Sequence, residues 1–566
     1  MTMTRTHVEQ QAFLVGAFSC RRRSETGILD FMRIRLFLLM LVATMGCYGA
    51  APETGAKKLR EVARLPTIDL AFGLKFQSGN GWTLSVVGVE EDSTAEITSL
   101  RKELNGDLSD AERFTRLAAL YARANDKTNL QAAADKALEL WKRRVELQPD
   151  NGPFLAEYGN SLTSAEKYGE AESVLRKATR VAPAEWKCWM ELGKFLDAKA
   201  HRALGSDSLQ PGENLFARIF EKSPSANQVK EAEKVFDEAG ECFAKAVGSA
   251  PNEAQVFFER AAHRSMRNAF KSVYRILRGE STNRTEITKA MFTPDSISDF
   301  REVVRLSPKD PVAIGGCAFF EAWSHALQKR ETLQSGEDLG NLLPDETRQS
   351  ILGLFARLEN LSESSDPHLA AGALTSLAIA RAIVRGDFPG GISHLRRALA
   401  LVPASDTASA LLVSLYVSQA RFDEVLTLCE QNVKRKDTIH NRSVLAKVYD
   451  KLNKAEKAEA QIRSILKKEP DHIWSNVALA SLLLKRGHDE SVLREARGVL
   501  EKTKPLLEKT DASGIRDLQI HYVLTVAVFY GLAGGNEAAR TELKEVLGRD
   551  PDNDYAKAIL AALGPQ

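Results

Sequence analysis

The chain has 566 residues, enough for several ordinary domains or for one long repeat array. Its 77 Lys and Arg against 75 Asp and Glu leave a formal net charge of +2, too little for a nucleic-acid footprint or for adhesion to an anionic membrane surface. Six cysteines without a CxxC pair argue against a disulfide framework. Cys188, Cys242, Cys317 and Cys429 fall inside predicted helices and read as small buried apolar residues.

Residues 1–31 show no sustained period, and their apolar run at 12–18 is too short to span a membrane. From Met32 the pattern changes. Arg33 and Arg35 precede an apolar stretch at 36–45, which ends in Gly46 and Cys47. That layout is an export signal with translation starting at Met32, so 1–50 is read as an upstream extension plus a signal or anchor. The run to Cys47 also resembles bacterial lipoprotein signals, with Thr44 where that family prefers Leu. The resemblance implies lipid attachment at Cys47 and membrane association through the N-terminus.

Residues 51–66 read as a polar linker. Over 67–92, Ile68, Leu70, Phe72, Leu74 and Phe76 alternate with smaller or polar residues, the period of a half-buried strand. A Gln-Ser-Gly-Asn-Gly turn at 77–81 and a β-rich run at 82–89 complete a β-hairpin.

From 107 onward the chain reads as helical. The stretch 151–183 gives two short amphipathic helices: Leu155, Tyr158, Gly159 and Leu162 share one face, and Ala171, Leu175 and Ala178 another. Pro183 ends the unit, and Pro149 stands 34 residues earlier. The order large, large, small, large, then small, large, small, then proline resembles the tetratricopeptide repeat (TPR). The resemblance implies an all-α, TPR-type α-solenoid, a right-handed superhelix of helix pairs, here preceded by the short β-hairpin. The first array spans 107–251. Its third repeat has Trp189, Leu192, Gly193 and Leu196, but the matching Ala239, Phe243 and Ala246 come one period late, which marks an insertion at 201–228. The region 252–365 keeps helices at irregular spacing, with a break between sub-arrays expected there. The pattern returns over 366–566 and closes with a capping helix at 555–563.

No HExxH, GxxxxGK or GxSxG spacing occurs, and no histidine pair has metal-ligand spacing, so no cofactor and no metal is expected. In TPR proteins the groove is lined by the first helix of each pair. Carried over, that points to His440, Lys447, Trp474, Val477, Leu484, Lys485 and His521, a mix of basic and apolar groups suited to a protein or peptide partner with acidic and hydrophobic residues. The lysine and asparagine clamp of chaperone-binding relatives is not matched. Asn160 is present, but the lysine position one turn earlier is Ala156, and the next repeat offers Glu191. The leading expectation is an exported, periplasmic or membrane-anchored scaffold that assembles proteins and catalyses nothing. The second is a cytoplasmic or membrane-tethered regulatory adaptor, and the third is an enzyme with its active site in the irregular middle.

Overall fold

The computed structural model describes residues 59–60, 63, 65, 94–123, 127–204, 224–278, 280, 285–329, 338–509, 516–549 and 553–564, and the backbone alone of three short strands. Of these strands, Gly73–Gly79 and Gly81–Val86 pair antiparallel with Gly79 opposite Gly81, and Ile34–Phe37 lies along the other edge of the first. The rest of 67–92, most of the export segment and Cys47 lie outside the described residues. Helix dominates, with 23 α-helices among the described residues.

The chain forms two compact units, Ala71–Leu415 with Met1–Met40, and Tyr416–Gln566 with Leu41–Leu70. In the first unit α1 (Thr94–Glu103), α2 (Ala111–Arg123) and α3 (Lys127–Leu147) lead into the pair α4 (Gly152–Ser164) and α5 (Tyr168–Val181). The long pair α6 (Trp186–Ala203) and α7 (Ala226–Ser249) follows, then α8 (Ala254–Leu277), the short α9 (Thr285–Met291) and α10 (Pro294–Leu306). Next come α11 (Pro311–Lys329) with α12 (Asp345–Ser362), α13 (Pro367–Val384) with α14 (Phe388–Leu401), and α15 (Asp406–Ser418). The boundary between units falls inside α15, well after the irregular stretch where the spacing suggests a break. The second unit continues with α16 (Phe422–Arg435), α17 (Ile439–Lys451), α18 (Ala455–Lys468), α19 (Ile473–Arg486) and α20 (Glu490–Lys509). It ends with the pair α21 (Arg516–Leu532) and α22 (Asn536–Arg549), and with α23 (Asp554–Leu563).

Local chemistry sets these boundaries. Asn151 caps α4 by accepting from Phe154 N at 3.1 Å, with Pro153 in the first turn where its missing N–H costs nothing. Asp366 caps α13 in the same way, and Ser225 with Gln228 forms a capping box on α7. The turn inside a pair is also repeated. Glu166, Gly386, Ala420, Asn453 and Gly534 all have positive φ, and each stands two residues past a first helix and two before its partner. One left-handed residue at this point reverses the chain, and three of the five do so without glycine.

Small residues bring the paired helices together. A Cβ built on Gly159 of α4 lies 2.5 Å from Leu175 Cγ of α5 and 3.5 Å from the Ala171 carbonyl. The close neighbour is thus Leu175, one turn beyond the Ala171 that the repeat pattern suggests. Gly193 of α6 faces the ring of Phe243 on α7 in the same manner, at 3.0 Å. α7 is therefore the partner of α6, lengthened at its start. Residues 201–203 of the expected insertion belong to α6 and 226–228 to α7, while 205–223 lie outside the described residues. α13 is long and apolar enough to cross a membrane by composition, yet Leu374, Leu377, Ala378 and Ala380 are fully buried in the solenoid.

Candidate functional site

α17, α19 and α21 are the first helices of successive pairs. Lys485 near the end of α19 pairs with Asp450 near the end of α17 at 2.7 Å. Ser481 of α19 hydrogen-bonds Thr525 of α21 at 3.1 Å. Both contacts join corresponding positions, so the three helices run parallel and present one continuous face. The chain has the TPR-type solenoid fold. No family model matches the sequence, and no curated protein matches it.

Among solved structures it resembles yeast Tom70, with 15% identity over 82% of this chain and 90% of that one at a TM-score of 0.33. It also resembles the APC/C hetero-tetramer Cut9–Hcn1, with 12% identity over 84% of this chain and 99% of that one at a TM-score of 0.27. A third is YrrB, a TPR protein with an unusual peptide-binding site, with 12% identity over 48% of this chain and 96% of that one at a TM-score of 0.23. At these TM-scores the likenesses carry no argument. The fold rests on the paired helices, their shared turn and the stacked first helices.

The residues that the repeat pattern assigns to a groove lie at both ends of the first helices. His440, Trp474 and His521 lie at the starts of α17, α19 and near the start of α21; Lys447, Leu484 and Lys485 lie toward the ends. Val477 and Leu484 are fully buried and belong to the packing between helices, so neither stands on an open surface. His521 is 8% exposed, its ring 5.3 Å from that of Tyr555 on α23. Lys485 is held by Asp450, and the Lys447 ammonium donates to the carbonyl of Leu65 at 3.1 Å. His440 is half-buried.

Trp474 is the exception. With His472, Ile473, Lys468 and Leu518 it walls a cavity of about 640 Å³. Its indole Nε1 is enclosed and has no acceptor, whereas Trp141 donates to Thr115 Oγ1 at 3.0 Å and Trp189 to the Pro183 carbonyl at 2.8 Å. An enclosed donor without an acceptor costs on the order of 1–3 kcal/mol. His472 beside it hydrogen-bonds Ser475 at 2.7 Å, and burial lowers its pKa, so it stands here as a neutral, polar wall.

A second polar cluster lies in the first unit, and the repeat pattern alone does not reveal it. Glu191, Lys194 and Asp197 of α6 are buried, and Lys194 reaches Glu191 at 3.3 Å and Glu259 of α8 at 3.4 Å. Burial pushes the Glu191 carboxyl up despite Lys194, and the two carboxylates hold Lys194 charged. One turn on, Asp197 bonds His263 Nδ1 of α8 at 2.7 Å, both nearly inaccessible. The other His263 nitrogen, Nε2, lies 3.0 Å from where a Cβ would stand on Gly240 of α7, so helix backbone closes off the ring. An acid–histidine pair so enclosed ties helices together. The recurrence of polar residues every third or fourth position along α6, opposite Leu192, Phe195 and Leu196, is the signal that identifies the stripe.

The irregular middle is joined by similar ties. Arg260 of α8 grips Asp299 of α10 through two bonds at 3.0 and 2.6 Å, Arg264 adds a third at 2.8 Å, and Arg301 pairs with the buried Glu321. No group of His, Cys, Asp and Glu among the described residues is set to hold a metal ion. Cys188, Cys242, Cys317 and Cys429 are buried free thiols, and burial pushes each up to about 12. They are inert as nucleophiles at neutral pH.

Proposed function

We propose that this protein is an exported, membrane-associated scaffold. It binds a protein segment on the first-helix face of its second unit and makes no covalent chemistry. The observation that carries this reading is Trp474, a half-buried aromatic at the wall of an open depression. Large aromatics with one polar tip anchor interfaces more often than other side chains. The partner it suits offers an apolar side chain to lie against the Trp474 ring in this depression. Nearby Lys468 and the N-terminal end of α19 favour an acidic neighbour in that partner. The export signal at 32–47 and a lipid on Cys47 supply the location; processing before Cys47 removes the strand Ile34–Phe37 and leaves the hairpin of Gly73–Gly79 with Gly81–Val86.

The test is capture from the native host with the full chain and with Trp474→Ala. One dominant partner retained by the parent and lost by the variant, at unchanged helix content, supports the reading. Equal capture by both removes Trp474 from the site. Mass spectrometry of the mature N-terminus decides the location: lipid on Cys47 supports it, and an intact Met32 on cytosolic protein overturns it in favour of the adaptor reading.

A further inference from the structure

The chain just after the export segment is not wholly solvated, although it reads as a polar linker. Leu59, Ala63 and Leu65 are only 2%, 3% and 2% exposed. Ala63 N donates to the Leu59 carbonyl at 3.2 Å, a single helical turn that places both side chains on one side. These residues belong to the second unit. A Cβ built on Gly531 of α21 would lie 2.8 Å from Leu59 Cδ1 and 2.9 Å from Leu563 Cδ2 of α23, so Leu59 fills a notch that glycine leaves open between these two helices. Six residues later, the Leu65 carbonyl accepts from Lys447 on α17 at 3.1 Å. Gly531 is near the end of α21 and Lys447 is in the last third of α17, so the segment runs past the C-terminal ends of the first helices.

We propose that residues 59–65 are a resident strap, docked on a surface built from the ends of α17 and α21 and from α23. The surface selects the spacing Leu-x-x-x-Ala-x-Leu: a leucine for the Gly531 notch, a small residue one turn on, and a terminal leucine whose carbonyl meets Lys447. This surface is at the opposite helix ends from Trp474. The strap therefore leaves that cavity open, and the inference goes beyond the partner reading above.

The experiment uses the full chain and a labelled synthetic peptide covering residues 57–67. In the parent protein the strap occupies the surface at the high effective concentration of a tethered segment, so the free peptide competes poorly. In L59D/L65D the resident strap is displaced, and the peptide should bind at least about tenfold more tightly than to the parent. Adding Lys447→Ala to that variant should weaken it again. Equal peptide binding by parent and L59D/L65D, or binding by neither, overturns the proposal. A measurement on the unaltered chain guards against misfolding of the variant. Trypsin should cut after Arg60 and Arg64 at least about tenfold more slowly in the protein than in the free peptide, because cleavage requires undocking. Equal rates overturn the strap. Loss of host partners with Trp474→Ala is independent of both results, so failure of one reading leaves the other standing.

Discussion

Replacing Gly159 with alanine tests the close approach on which each helix pair depends. The new Cβ would stand 2.5 Å from Leu175 Cγ and 2.7 Å from its Cδ2, against a favourable carbon–carbon separation of roughly 3.5–4.0 Å. One side must therefore move by about 1 Å. Leu175 is 1% exposed and Ala171 and Ala178 are fully buried, so neither a new rotamer nor a small shift finds empty space. Overpacking of this kind costs roughly 1–3 kcal/mol. Removing glycine from a helix interior returns about 1 kcal/mol. The expected net loss for Gly159→Ala is thus roughly 0–2 kcal/mol, with Gly159→Leu worse because three more carbons enter the same gap. Gly353→Ala in α12 is the control: that glycine is exposed with nothing within 4 Å of a built Cβ, so only the gain of about 1 kcal/mol remains. Urea unfolding with hydrogen exchange reads each variant in its own repeat, over 152–181 for Gly159→Ala and over 345–362 for Gly353→Ala, because repeat arrays lose structure repeat by repeat. A double variant closes the logic: Gly159→Leu should cost less in a Leu175→Ala background than alone. Equal stabilisation by Gly159→Ala and Gly353→Ala would refute the packing of α4 on α5.

Three further outcomes follow from particular contacts. Gly240→Ala should destabilise the first unit, since His263 is pinned by Asp197 on one side and by Phe243, 5.2 Å away between ring centroids, on another; in a His263→Ala background the same change should stabilise, and thermal melts compare the two. Ala420→Gly should raise stability by roughly 0.5–1 kcal/mol by relieving a left-handed backbone at an exposed turn, and an unchanged urea midpoint would argue against that conformation. Glu157 is pushed up to about 7, first by burial and then by the neighbouring Glu191 carboxylate. The folded state therefore holds its proton more tightly than the unfolded chain, whose value is near 4.5. Its contribution is present below that value and is lost as pH rises toward 7. Glu157→Gln should flatten the fall in stability between pH 4.5 and 7, and an unchanged slope assigns the effect elsewhere.

The helix pairs are legible in the sequence because their signals are local. Caps such as Asn151, a period of 3.6 and a proline after most second helices act within a few residues. The partner of Gly159 is less legible, since one turn of rotation separates Ala171 from Leu175 and only three-dimensional packing chooses between them. The polar stripe on α6 is visible as a repeat of charged residues, but solvated stripes look the same in sequence. Its burial depends on α7 and α8 folding over it. Among the groove residues, position along a first helix is readable, whereas exposure is not: Val477 and Leu484 occupy groove positions by pattern and are taken up by neighbouring helices.

The strap shows why composition misleads most at a short docked segment. Residues 51–66 carry enough charge to read as a tether, and Leu59, Ala63 and Leu65 are too few to form a periodic signal. Their burial comes from a notch at Gly531, several hundred residues away in sequence. The position of the strap gives it a mechanical consequence. With a lipid on Cys47, only residues 48–58 would separate the membrane from the docked strap, and even fully extended they span about 40 Å. Docking would therefore hold the strap-bearing face of the second unit within that reach of the bilayer. Release of the strap would lengthen the tether without breaking it.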